Sequence, residues 1–271
     1  LETLRTGYGI DANGFIISDV STDKIDTVYM PSIQESVERL RRMFPQKLHS
    51  VYVYGSVARG EAILIESDLD LIAMFVKKLN SDELVELKKL TEVLSQKYQD
   101  LVREVGIAIA DYDYTMDPSS YFENAFLKKI SVCVYGEDVG DHFGPYKLTA
   151  EIPISFNGDI GDSLKRALNK LEAPSNQDFN ITSQGFARKL IRTYYSMVMV
   201  RSQIWTTRLQ QQAQVFLQYF PDKEPIVQTL LNWLSEPPTN RKYVYALFKK
   251  EGEWARDNFA KEVIKSSYSK E

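Results

Sequence analysis

Between Tyr54 and Leu71 the chain reads Tyr-Gly-Ser-Val-Ala-Arg-Gly, a spacer, and then Ser-Asp-Leu-Asp-Leu. Val51 to Tyr54 is a β-branched and aromatic run that predicts a buried strand. Gly55 then supplies unrestricted φ and Ser56 a hydroxyl suited to a helix start, which turns backbone N–H groups toward an anion. A second strand is expected from Leu69 to Val76. Side chains alternate along a strand, so Asp68 and Asp70 project to one face, where they repel each other. Such a pair is stable mainly around a divalent cation. Ligation by oxygen alone favours Mg²⁺ or Mn²⁺, with a triphosphate supplying further oxygens. The chemistry implied is metal-assisted transfer of a nucleotidyl group.

The rest of the chain narrows the alternatives. His49 and His142 are the only two histidines, which leaves metal binding to carboxylates and disfavours Ser-His-Asp or Cys-His catalysis. Each histidine is expected to be solvated or capping at an element boundary. The net charge of −4 offers no global field for nucleic acid, so a small acceptor fits better than a long polyanion. Of 271 residues, 44% are hydrophobic and 26% charged, which is globular composition with room for two domains. Cys133 is the only cysteine and is expected to pack in the core, so no disulfide forms within the chain. There is no apolar run of membrane-spanning length and no signal-peptide pattern at Leu1 to Arg5, so no membrane partner and a cytoplasmic location are expected.

Several elements must position the two motifs. Residues 8 to 18, with Asn13-Gly14 at the turn, predict a short β-ribbon. Ile33, Val37, Leu40 and Phe44 recur at helical spacing over 31–44, ahead of the first motif strand. Ser81 is the expected N-cap of a helix whose face is Leu84, Leu87, Leu90, Leu94 and Tyr98. Ile107 to Tyr114 predicts a third strand, Asp117-Pro118 the start of a helix through Ile130, and Ser131 to Tyr135 a last strand. Beyond Gly136, Gly140, Gly144 and Pro145 the periodic segments are helical. Prolines 221, 225, 237 and 238 divide them, giving about five helices. The expected fold class is α+β: a mixed sheet flanked by helices over 1–148, then an all-α bundle over 149–271. Arg188, Lys189 and Arg192 lie within about one helical turn, either as phosphate contacts or as a solvated face.

Gly55, Ser56, Asp68, Asp70 and Leu71 resemble the signature of the DNA polymerase β-like nucleotidyltransferase superfamily. The fuller pattern, Gly-Ser-x-Ala-Arg-Gly and then Ser-Asp-x-Asp-Leu, is similar to its minimal and aminoglycoside nucleotidyltransferase branch, with a spacer about one residue longer. The resemblance implies an Mg²⁺-dependent (or Mn²⁺-dependent) enzyme that uses an NTP such as ATP. Asp68 and Asp70 would be catalytic metal ligands, with Gly55, Ser56, Arg59 and Ser67 at the nucleotide. Ser56 and nearby N–H groups would hold the β- and γ-phosphates. Arg59 would neutralise leaving-group charge or instead pair with Glu61 or Glu66. The acceptor would be a small hydroxyl-bearing molecule, alternatively a protein side chain.

The family pattern also implies a third carboxylate on a neighbouring strand, and Gly106 stands where it is expected. Asp111 is taken as its replacement through a shifted register or a bulge, with Asp113 on the same face and Glu104 as further options. Without any of them, a catalytically weakened nucleotide-binding or regulatory module is the other class that the pattern permits.

Overall fold

The first motif strand runs from Leu48 to Tyr54 (β1) and the second from Leu69 to Phe75 (β2) in this computed structural model, which describes residues 3–172 and 175–265. They pair antiparallel, with Tyr54 opposite Asp70. Val105–Asp111 (β3) lies parallel to β2 and Ser131–Gly136 (β4) antiparallel to β1, giving a four-stranded mixed sheet in the order β3-β2-β1-β4.

The two faces differ in cover. Val51, Val53, Leu69, Leu71, Ala73 and Phe75 point to one side and join the main core of this unit. Against them pack Ile33, Leu40 and Phe44, from or just after Met30–Met43 (α1), and Leu87, Leu90 and Leu94 from Ser81–Lys97 (α3); between these helices in sequence comes the one-turn Gly55–Arg59 (α2). On the other side Tyr52, Ile72 and Met74 meet Leu127 and Val139 in a smaller cluster. Asp70 shares the alternation of Ile72 and Met74, so it stands on this thinly covered face at the end where β2 begins.

Local chemistry explains where the expected elements shift. The N-cap of α3 is Asn80 rather than Ser81. Its side-chain oxygen accepts from the Glu83 N–H (2.9 Å), and the Glu83 carboxylate accepts from the Asn80 N–H (2.7 Å), a reciprocal box that Ser81 cannot form from inside the helix. The expected helix 118–130 is interrupted. Asp117 accepts from the Ser119 N–H and hydroxyl, tightening Pro118–Ser120 into a 3-10 turn. Regular helix resumes only at Ala125–Ile130 (α5), after Tyr112–Met116 (α4) and this turn. β3 ends at Asp111 instead of Tyr114 because Asp111 itself caps α4.

Two compact units result. One is Ser18–Pro145, and the other joins the chain up to Ile17 with the chain from Tyr146 onward. The N-terminal segment, expected with the sheet, therefore packs with the helices. Its ribbon shrinks to the Ile10–Ile16 bridge, and Phe15 bridges to Lys147. The helical unit holds Glu151–Asn157 (α6), Ile160–Leu171 (α7), Asn176–Ser202 (α8), Leu209–Leu217 (α9), Glu224–Ser235 (α10) and Arg241–Lys265 (α11). That is six helices among the described residues, where about five were expected. No helix among those residues is long and apolar enough to cross a membrane.

Candidate active site

The Gly-Ser turn and the second aspartate are brought into contact by the β1–β2 register. Tyr54 pairs with Asp70, so the chain leaving β1 turns directly over that carboxylate. Gly55 has φ +78°, and a Cβ at this position would stand 2.8 Å from Asp70 Oδ2. Only glycine satisfies both the backbone and the space. On the other flank Gly106 pairs with Asp70 across the parallel ladder, and a Cβ there would lie 3.4 Å from Oδ1. The position expected to carry the third acid is thus a small residue beside the carboxylate.

Asp68 precedes β2 by one residue and is held from the β3 side. Arg103 Nε and Nη2 donate to Asp68 Oδ1 and Oδ2 at 3.0 and 2.5 Å, a bidentate pair. The Arg103 N–H donates to the Ser67 carbonyl (3.0 Å) and the Leu69 N–H to the Glu104 carbonyl (2.9 Å), so the two strand entrances are bonded together. The Asp68 carboxylate raises the already high pKa of the Arg103 guanidinium against the opposing effect of burial, and the charges of Glu104 and Asp70 add to the rise.

The remaining expected residues have clear positions. Ser56 lies in the first turn of α2, and its carbonyl accepts from the Gly60 and Glu61 N–H groups. With five residues α2 carries little macrodipole, so any anion is met by individual N–H groups. Arg59 Nε donates to Glu61 (2.9 Å), realising the first of its two expected partners. The Ser67 hydroxyl accepts from the Ile63 N–H (2.9 Å) and closes the connecting loop. Lys189, from the basic cluster in the helical unit, is tied to Asp159 (2.6 Å).

Asp111 is not brought to the carboxylates. Its register partner is Phe75, five residues beyond Asp70, which at the rise of a β-strand is about 16 Å along the ladder. No bulge interrupts the β2–β3 pairing from Leu69 to Phe75 to shorten that distance. Asp111 Oδ1 instead accepts from the Tyr114 N–H (2.9 Å), and Asp113 lies within α4. A shallow hollow of about 200 Å³ lined by Phe75, Lys77, Leu84, Ile109 and Asp111 marks that end of the sheet, away from Asp70. Glu104 does belong to the carboxylate end. Leu69 pairs with Val105, so Glu104 stands across from Asp68, outside the ladder and exposed.

Of the two histidines, His142 lies exposed at the end of a 3-10 turn as expected, and His49 departs from expectation. His49 sits within β1, packs at a tilt against Tyr112 (ring centroids 4.6 Å apart), and has its Nε2 3.8 Å from Glu137 Oε2, whose other oxygen lies 3.4 Å from His142 Nε2. Cys133 is free and half-buried against the Tyr52 cluster, and burial pushes its thiol up to about 11.

A divalent cation suits this donor set. Asp68 and Asp70 offer only hard oxygens, and the glycines on both flanks of Asp70 let the backbone come close to its carboxylate. No group of three His, Cys, Asp or Glu side chains among the described residues encloses such an ion, so further oxygens must come from a bound nucleotide or solvent.

Comparison with known proteins bears on the domain and the fold. Residues 33–132 match the family model for the nucleotidyltransferase domain. Among solved structures the fold is similar to spectinomycin adenyltransferase AAD(9) from Enterococcus faecialis, determined with ATP and spectinomycin. The TM-score is 0.55 with 13% identity, over 83% of this chain and 98% of that one. No curated protein sequence matches.

Proposed function

We propose that the chain transfers a nucleoside monophosphate from an NTP, ATP in the first instance, to a hydroxyl of a small acceptor, releasing pyrophosphate. The observation that carries this reading is the placement of Asp70 against Gly55, a carboxylate beside the turn assigned to the phosphates. The solved structure with the similar fold binds ATP and spectinomycin, which makes aminocyclitols and aminoglycosides the first acceptors to try.

In this mechanism the N–H groups at Gly55 and Ser56 bind the distal phosphates. Asp68 and Asp70 would hold a divalent cation, which when bound would supply positive charge to offset that of the departing pyrophosphate. We assign Glu104, in place of Asp111, as the general base. It accepts the hydroxyl proton as the acceptor oxygen bonds to the α-phosphorus and the bond to the bridging oxygen of pyrophosphate breaks. Its place across from Asp68 supports this role. An NTP co-substrate and a free cysteine fit a cytoplasmic enzyme.

The test is to incubate the protein with Mg²⁺, ATP and a panel of spectinomycin-like acceptors. Pyrophosphate is followed together with the acceptor's mass. Stoichiometric pyrophosphate with a gain of one AMP on an acceptor is expected. Tight ATP binding with no product on any acceptor or on the protein itself would leave the site a binding module.

A further inference from the structure

Arg103 has no part in the mechanism above, yet it is bound by two hydrogen bonds to Asp68 at the carboxylate corner. Its backbone is fixed by the bond to the Ser67 carbonyl, and its guanidinium takes one lone-pair direction from each oxygen of Asp68. It stands next to Glu104 in sequence, and the charges of Asp68, Glu104 and Asp70 all bear on it. Three carboxylates gathered at the entrances of two adjacent strands would repel one another without such a charge. A divalent cation at Asp68 would meet the same oxygens already engaged by a fixed positive charge. Ligation and the bidentate pair therefore oppose each other.

We infer that Arg103 is the corner's own counter-ion: it competes with the divalent metal for Asp68, and when the metal–nucleotide enters it exchanges Asp68 for a phosphate oxygen of the nucleotide. A guanidinium fork pairs as well with phosphate as with carboxylate, so the exchange keeps its two hydrogen bonds. Arg103 is on this account a positioning residue that couples metal binding to nucleotide binding. The inference rests on the assignment of the metal to Asp68 and Asp70.

Both ideas are tested with Mn²⁺ alone, reading free ion by electron paramagnetic resonance, and then with a non-hydrolysable ATP analogue added. Arg103→Gln is expected to tighten Mn²⁺ binding by about tenfold, the lower end of what one adjacent guanidinium does to a carboxylate's proton affinity. It is also expected to shrink the gain in Mn²⁺ affinity that the analogue produces, since the displaced guanidinium no longer contributes to the coupling. Arg103→Lys, which keeps the charge without the fork, should fall between the two. Asp70→Asn separates the two failures. If Asp70→Asn leaves Mn²⁺ binding unchanged, the metal site itself is misplaced. If Asp70→Asn weakens binding while folded Arg103→Gln or Arg103→Lys binds Mn²⁺ no tighter than wild type, the counter-ion role is refuted.

Discussion

Two carboxylate sites in this chain share the same ingredients and are built to opposite ends. In the helical unit Glu251 is 1% exposed, and its Oε2 accepts from Tyr194 (2.7 Å) and from Lys223 (2.6 Å), whose ammonium lies 3.9 Å from the centre of the Trp254 ring. Burial, then the adjacent Glu251 charge, raises the Tyr194 phenol far above its ordinary range, so it stays a donor. At the sheet corner the Asp68 side chain is 28% exposed and is held by a single arginine that solvent also reaches, while Asp70 is flanked by glycines. Glu251 is enclosed and ties three helical segments together, whereas the corner gathers like charges at a face with little cover. Glu251 has its partners inside the protein, whereas in the proposed mechanism the corner carboxylates take one from outside.

The contrast can be broken from either side. The largest effect is expected at the corner: Glu104→Gln should lower the rate of nucleotidyl transfer by about 10²–10⁴-fold, the range of general-base assistance, with ATP affinity and melting temperature near wild type. An unchanged rate in single-turnover measurements would remove Glu104 from the mechanism. Next comes Glu251→Ala. It leaves the half-buried Lys223 and the buried Tyr194 hydroxyl without their shared partner and should cost about 3 kcal/mol in urea unfolding, the lower end for a broken buried pair, while metal-dependent nucleotide binding by the folded fraction persists. Third, Asp111→Ala should lose about 1 kcal/mol of stability, the usual worth of an N-cap, and leave turnover intact. A large loss of turnover there would restore Asp111 as the third acid.

The smallest effect sharpens the comparison at a partly exposed pair. Hydrogen bonds from Lys97 and then Tyr98 lower the Glu35 carboxyl to about 2 from its ordinary 4.5. Because its folded value lies below its unfolded one, its contribution is complete above about pH 4.5 and is lost as the pH falls toward 2. Solvent screens this site, so the difference in stability between wild type and Glu35→Gln should be modest at neutral pH and vanish across that window. A difference that is constant with pH would assign the effect to packing instead.

Much of this architecture was legible in the sequence because each signal is local. Strand alternation put Asp70 on the face of Ile72 and Met74, and the helical spacing of Ile33 to Phe44 marked α1 within a residue. What escaped depends on register between segments. The family resemblance implies an acid inside β3, but the ladder sets Gly106 beside Asp70 and leaves Glu104 just before the strand, where no periodicity distinguishes it. Asp111 looked suitable because it lies on the right strand, and only the pairing with Phe75 shows which end it occupies. The bidentate hold of Arg103 on Asp68 spans 35 residues and has no local signature.

The central claim is that the Gly-Ser turn and the two aspartates form one metal–nucleotide site. Calorimetric titration of a non-hydrolysable ATP analogue, with and without Mg²⁺, into wild type and Asp70→Asn tests it most directly. Wild type should bind more tightly with Mg²⁺, and Asp70→Asn should lose that increment while keeping its melting temperature, since the variant removes a metal ligand and relieves repulsion. An Mg²⁺-dependent increment of the same size in both proteins would contradict the assignment.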